Sequence, residues 1–189
     1  MFVGGMTMKK LILGAMATLA VGVAHAQVYV GAGLTVNRIN LDCTGMVQCK
    51  TDAGGGKVYA GYVPKGSGVG AEIAYLQLGK AKTTSNVVTN VEASGVAAAM
   101  VLRASLTPNF WLHAKLGAAQ VSTSASWYTD AGQNSTPSES IMRPYYSFGM
   151  DFGLVENVKL MAYADWTKGK YKGKSASMHM TGLGVEFLF

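Results

Sequence analysis

The sequence predicts an all-β fold: a closed, eight-stranded antiparallel transmembrane β-barrel. Three observations carry that expectation: an export leader at the start, period-two alternation in stretches long enough to cross a membrane, and connections that alternate between short and long.

In the leader, Lys9 and Lys10 precede an apolar run from Leu11 to Val23, and Ala24-His25-Ala26 supplies the small residues of a cleavage position. Residues 1–26 therefore read as a cleaved signal peptide and 27–189 as a single barrel domain beginning at Gln27. A retained anchor needs about 20 apolar residues, and this run is shorter and interrupted by Gly14, Thr18 and Gly22. Met8-Lys9-Lys10 is a complete opening in itself, so Met1 and Met8 are both candidate starts. Removing the leader takes two lysines and no acids, leaving fourteen basic residues against ten acidic ones. So small an excess in an exported chain gives no argument for a nucleic-acid partner, and none is expected.

Export also decides the reading of the cysteines. Cys43 and Cys49 are the only two, and the chain passes through a compartment that oxidises neighbouring thiols. A disulfide closing a short loop is expected. A metal site would normally take about four ligands, and no histidine lies near either cysteine, so neither metal nor cofactor is expected.

Alternation is clearest from Tyr145 to Leu154, where Tyr146, Phe148, Met150, Phe152 and Leu154 oppose Tyr145, Ser147, Gly149, Asp151 and Gly153. The same asymmetry runs through Val96–Leu106, Val158–Trp166 and Leu183–Phe189. Earlier strands are expected at Val28–Val36, Lys57–Val63, Val69–Leu78 and Phe110–Val121. Short turns at Pro64–Gly68, Thr107–Asn109 and Val155–Asn157 contrast with long links at Asn37–Gly56, Gly79–Ser94, Ser122–Arg143 and Thr167–Ala176. Outer-membrane barrels join their strands in this way, with short periplasmic turns and long external loops.

Alternation alone leaves a soluble sandwich or a lipocalin-like barrel open, and glycine separates these from a membrane barrel. Gly31, Gly33, Gly149, Gly153, Gly182 and Gly184 lie on the small face. Facing water they would weaken their strands; facing a narrow lumen they make room for large side chains that cross it. Tyr75, Trp111, Tyr146, Trp166 and Phe189 at strand ends suit aromatic girdles at the two interfaces.

Several segments resemble the OmpA/OmpX-type small outer-membrane barrels, and the likeness covers nearly the whole exported chain. Glu72-Ile73-Ala74-Tyr75-Leu76-Gln77-Leu78-Gly79-Lys80 resembles that family's third strand, and Lys115-Leu116-Gly117 its fifth. Asp165-Trp166-Thr167 is similar to the top of the seventh, and Gly184-Val185-Glu186-Phe187-Leu188-Phe189 to the closing strand. The resemblance implies residence in the outer membrane and no separate peptidoglycan-binding domain. It also implies that Phe189 is the signal read by the barrel-assembly machinery. Two positions depart from the family: its first-strand lumenal lysine falls at Gly33 and its seventh-strand lumenal arginine at about Met161.

By parity Glu72, Arg103, Lys115, Asp151, Asp165 and Glu186 point into the lumen as a charge network. It reads as a polar plug that fills a barrel too narrow for an open channel; the alternative is an ion gate in a low-conductance pore for small solutes or ions. Lys168, Lys170, Lys172 and Lys174 alternate along the strand after Trp166 and share its outward face if the strand continues. At headgroup height they would meet lipopolysaccharide phosphates or a host polyanion, each lysine contributing about 1 kcal/mol near a charged membrane surface. A solvated basic loop is the equal competitor.

A lipid A-modifying enzyme is a further alternative, since His179 and Thr181 lie two apart on an outward face. No serine nucleophile with an acid partner accompanies them, and His113 points inward, so no catalysis is expected. The sequence thus predicts a monomeric barrel that contacts outer-membrane lipid and lipopolysaccharide, with a structural, envelope-integrity or surface-attachment role exercised through its external loops.

Overall fold

The computed structural model describes residues 26–39, 48–50, 52–84, 88–129, 132–135, 138–171 and 174–189. Eight long strands form the wall: β1 (Ala26–Ile39), β3 (Asp52–Pro64), β4 (Val69–Thr84), β5 (Val88–Thr107), β6 (Phe110–Thr129), β8 (Glu139–Val155), β9 (Val158–Tyr171) and β10 (Lys174–Leu188). Two short strands, β2 (Gln48–Lys50) and β7 (Gly132–Ser135), add to β4 and β6 beyond the wall. Every long strand pairs antiparallel with its neighbours, and β1 pairs with both β3 and β10, which closes the sheet on itself.

The registers fix the shape of the barrel. A path of paired residues from Val28 runs through Tyr62, Ala71, Met100, Leu116, Tyr146, Trp166 and His179 and returns to β1 at Arg38, ten residues beyond its start. With a rise of about 3.3 Å per residue and strands about 4.8 Å apart, that stagger tilts the strands by about 40°. An eight-stranded barrel so tilted is just wide enough for side chains to fill.

Alternation sorts the residues between the two faces. Leu34, Val36, Ile73, Leu116, Phe148, Phe152, Leu160 and Leu183 stand exposed on the outside, while Tyr29, Leu76, Val101, Val121, Tyr145 and Met180 are buried inside. An exposed apolar belt of this extent belongs in lipid.

The strands outrun the sequence-based expectation. Most of the expected links at Gly79–Ser94, Ser122–Arg143 and Thr167–Ala176 is strand. β5 and β6 are each 20 residues long, about 50 Å along the axis at this tilt against an apolar band of about 25 Å. Outside lipid both faces of a strand are wet, so hydrophobic alternation disappears while Val- and Thr-rich stretches such as Val88-Thr89-Asn90-Val91 keep their β preference.

The lumenal glycines act as sockets for aromatic rings. Tyr29 lies opposite Gly61 and Gly31 opposite Tyr59 on the paired strands β1 and β3. A Cβ added at Gly31 would sit 2.2 Å from the Tyr59 ring, and one added at Gly61 would sit 2.4 Å from the Tyr29 ring. The exchange lets two rings pass in one narrow section, edge to face with centroids 6.1 Å apart.

One girdle residue is corrected. Trp111 shares the inward register of His113 and Lys115, and the Lys159 ammonium lies 3.9 Å from its ring centre. It lines the lumen beside the Thr107–Phe110 turn instead of facing lipid, because an odd position on β6 points inward. Tyr75, Tyr146, Trp166 and Phe189 are exposed on the outside.

Candidate functional site

Inside the barrel, charged side chains form two layers. In the middle layer Lys57 Nζ donates to Asp165 Oδ2 at 2.8 Å, and Lys115 Nζ donates to both Glu72 oxygens at 2.7 and 2.6 Å. The Tyr29 hydroxyl donates to Glu72 Oε2 at 3.1 Å. Lysine ammonium groups also lie over aromatic faces, Lys57 at 3.7 Å from the Tyr163 ring centre and Lys115 at 4.8 Å from that of Tyr59. The Tyr59 hydroxyl contacts Met161 Sδ.

Nearer the short turns, Arg103 Nη2 donates to Glu186 Oε2 at 2.9 Å and Arg103 Nε lies 3.4 Å from Asp151 Oδ2. The other Asp151 oxygen accepts from His113 Nδ1–H at 2.7 Å. Lys57 and Lys115 balance Glu72 and Asp165; Arg103 and Lys159 balance Asp151 and Glu186. Pairing of this kind lets charges be buried without an uncompensated desolvation penalty.

All six residues that parity directs inward thus lie in these two layers. Lys57 and Lys159 belong to them as well, although the network expected from the sequence includes neither. Lys159 carries a signal, since it alternates with Val158 and Leu160 and shares a face with Asp165. Lys57 follows Gly54-Gly55-Gly56 and has no alternating apolar partner on its N-terminal side.

Towards the outer end the filling changes. Leu76, Leu78, Val121, Met178 and Met180 are almost fully buried with Ala93, Ala97 and Ala119. Thr35, Asn37 and Thr123 are set among them, and Asn37 Nδ2 donates to the Gln77 carbonyl at 3.3 Å. The plug is therefore charged on one side and mainly apolar on the other, whereas the sequence suggests a polar plug alone. Below this cap, the side chains of Lys57, Asp165 and Lys115 have no surface accessible to water.

On the outer rim Lys168 is exposed in the outward register of Trp166. Lys170 and Lys174 belong to β9 and β10, but their side chains, like all of Lys172, lie outside the described residues. Cys43 is also outside them, as is the side chain of Cys49, whose backbone belongs to β2; the expected disulfide falls there, and so does the leader up to residue 25. His179 packs edge to face on Trp166, centroids 6.5 Å apart, and Thr181 pairs with Ala164 below it.

A closed barrel with a lipid-facing apolar belt and a packed lumen defines a small outer-membrane β-barrel. The profile of the OmpA-like transmembrane domain family matches residues 23–189, and the chain belongs to that family, in the cell outer membrane. No relative is found among curated proteins. Among solved structures, Neisserial surface protein A (NspA) is similar with a TM-score of 0.60 at 14% identity, covering 86% of this chain and 97% of that one. Ail, the attachment invasion locus protein of Yersinia pestis, solved in complex with the heparin analogue sucrose octasulfate, gives 0.59 at 18% identity, covering 86% and 99%. A major outer membrane protein from Thermus thermophilus gives 0.54 at 11% identity, covering 87% and 99%.

Proposed function

We propose that this protein is a non-conducting, non-enzymatic envelope scaffold that works through its outer rim and loops, binding anionic groups of lipopolysaccharide or of a host surface. The observation behind this reading is the closed lumen: the Lys57–Asp165 pair halfway along it is inaccessible to water. An ion passing through would have to break two self-neutral charge layers and then cross an apolar cap. The reading therefore looks for function on the outside, where Lys168, Lys170, Lys172 and Lys174 concentrate positive charge after Trp166. That Ail was solved with a heparin analogue makes a sulfated polyanion the first probe to try. Within this reading Phe189 is the assembly signal, Cys43 and Cys49 close the first loop, and the barrel is a monomer.

Two measurements test it. Planar bilayers holding the purified barrel should show no steady ionic steps; a conductance that scales with salt would overturn the scaffold in favour of a pore. Retention on immobilised heparin and co-purification of lipopolysaccharide should both fall at least tenfold when the four lysines are changed to glutamine. Unchanged retention on both would remove the rim from the reading.

A further inference from the structure

The outer rim has a second face, different in chemistry from the lysine-bearing one, on β4, β5, β6 and β8. Gln77 pairs with Ser94, Ser94 with Ser122 and Ser122 with Ser140, so four polar residues form one continuous row across four neighbouring strands. Ser122 and Ser140 hydroxyls meet at 2.7 Å. The row beneath it reads Tyr75, Val96, Gln120 and Met142, where the apolar belt ends. The row above it brings Lys80, Glu92 and Ser124 together, with Lys80 Nζ 2.6 Å from Glu92 Oε1.

A backbone irregularity builds this face. β4 carries a bulge between Gln77 and Gly79, and Gly79 adopts φ +87, a left-handed conformation that suits glycine. Strict alternation would turn Lys80 into the lumen with Leu76 and Leu78; the bulge turns it outward, beside Glu92. Between the rows lies a cavity of about 270 Å³, lined among others by Tyr75, Gln77, Ser94, Ser122, Ser124 and Ser138.

We infer that this cavity is a subsite for an uncharged sugar in the headgroup of an outer-leaflet glycolipid. Its walls offer hydroxyls and an amide, which both donate and accept, as sugar hydroxyls require. Tyr75 supplies a half-exposed ring at the edge, a surface on which a sugar's C–H face can lie. Its two charges neutralise each other, so the cavity has no net attraction for phosphate, in contrast to the lysine-bearing rim. It opens directly above the apolar belt, within reach of a headgroup whose acyl chains lie against Val96 and Met142. A lipid-borne sugar is thereby favoured over a free one.

The test uses the full exported chain in nanodiscs, with native mass spectrometry of the lipids that stay bound. The probes share their acyl chains: a monoglucosyl diacylglycerol and phosphatidylglycerol. The wild-type barrel should retain the glucosyl lipid about tenfold more than phosphatidylglycerol. The double variant Ser94→Val, Ser122→Val replaces two hydroxyl-bearing residues by strand-favouring ones, and should lose that preference. Glutamine at the rim lysines should leave it unchanged. Equal retention of the two lipids, or a preference that survives the double variant in barrels whose gel mobility still shifts on boiling, would overturn the inference. Displacement of the glucosyl lipid by millimolar free glucose would overturn the lipid source.

Discussion

The two ends of the lumen are filled by opposite chemistries, and the contrast shows how one narrow tube is both specified and sealed. Near the short turns and in the middle, Arg103, Lys115, Lys57 and their carboxylates meet in directional contacts of 2.6–3.4 Å. Such contacts discriminate between strand registers, because a one-residue slip would turn each partner to the lipid side. Towards the outer end Leu76, Leu78, Val121, Met178 and Met180 fill volume without directional demands. The apolar cap covers the ion pairs below it, where Lys57 and Asp165 have no accessible side-chain surface. Specificity and sealing are thus assigned to different sections of the same tube.

Substitutions can break that division at either end. The largest effect is expected for Lys57→Ala, which leaves Asp165 buried without its cation and should destabilise the barrel by about 3–5 kcal/mol. The midpoint of urea unfolding in liposomes, read by gel mobility, measures it. Replacing both partners, Lys57→Met with Asp165→Leu, should recover most of that loss; if the double variant is as unstable as the single one, the pair is not the interaction that matters. At the other end Leu76→Ala should cost about 2–4 kcal/mol through lost contact and cavity formation, with bilayers still silent. A current in this variant would show that the charge layers alone do not seal the lumen.

Between the two sections, Gly31→Ala drives a methyl into the Tyr59 ring and should cost about 1–3 kcal/mol by the same unfolding measurement. Combining it with Tyr59→Leu should relieve part of the loss. The smallest effect belongs outside the lumen. Arg38 and Asp52 pair at 3.0 Å but remain largely exposed, and Arg38→Gln should shift stability by less than about 0.5 kcal/mol.

How much of this was legible in the sequence depended on local regularity. Where apolar and small residues alternate cleanly, as in Tyr145–Leu154, the element, its inward face and the position of Asp151 could all be read from parity. Partners could not, because the sequence separation of 108 between Lys57 and Asp165 is bridged only by the closed shape of the barrel. The serine row on the outer rim was hidden for two physical reasons. Its serines lie where strands leave the lipid and alternation ends, and the bulge at Gly79 shifts the parity by which Lys80 would be placed. Trp111 shares the parity of His113 and Lys115, so alternation itself points it inward; its place near a strand end fits an aromatic girdle only when that parity is set aside.

The seam between β1 and β10 has a consequence for biogenesis. Tyr29 pairs with Leu188, and the Phe189 amide donates to the Val28 carbonyl at 2.9 Å. β1 and β10 therefore each keep one edge unpaired until they meet. Until then the chain exposes two unpaired strand edges, and open edges are templates for pairing with other molecules. Contacts so distant along the chain also form slowly. A barrel built this way gains little from a partial fold, because the pairing that closes it is also the one most distant along the chain.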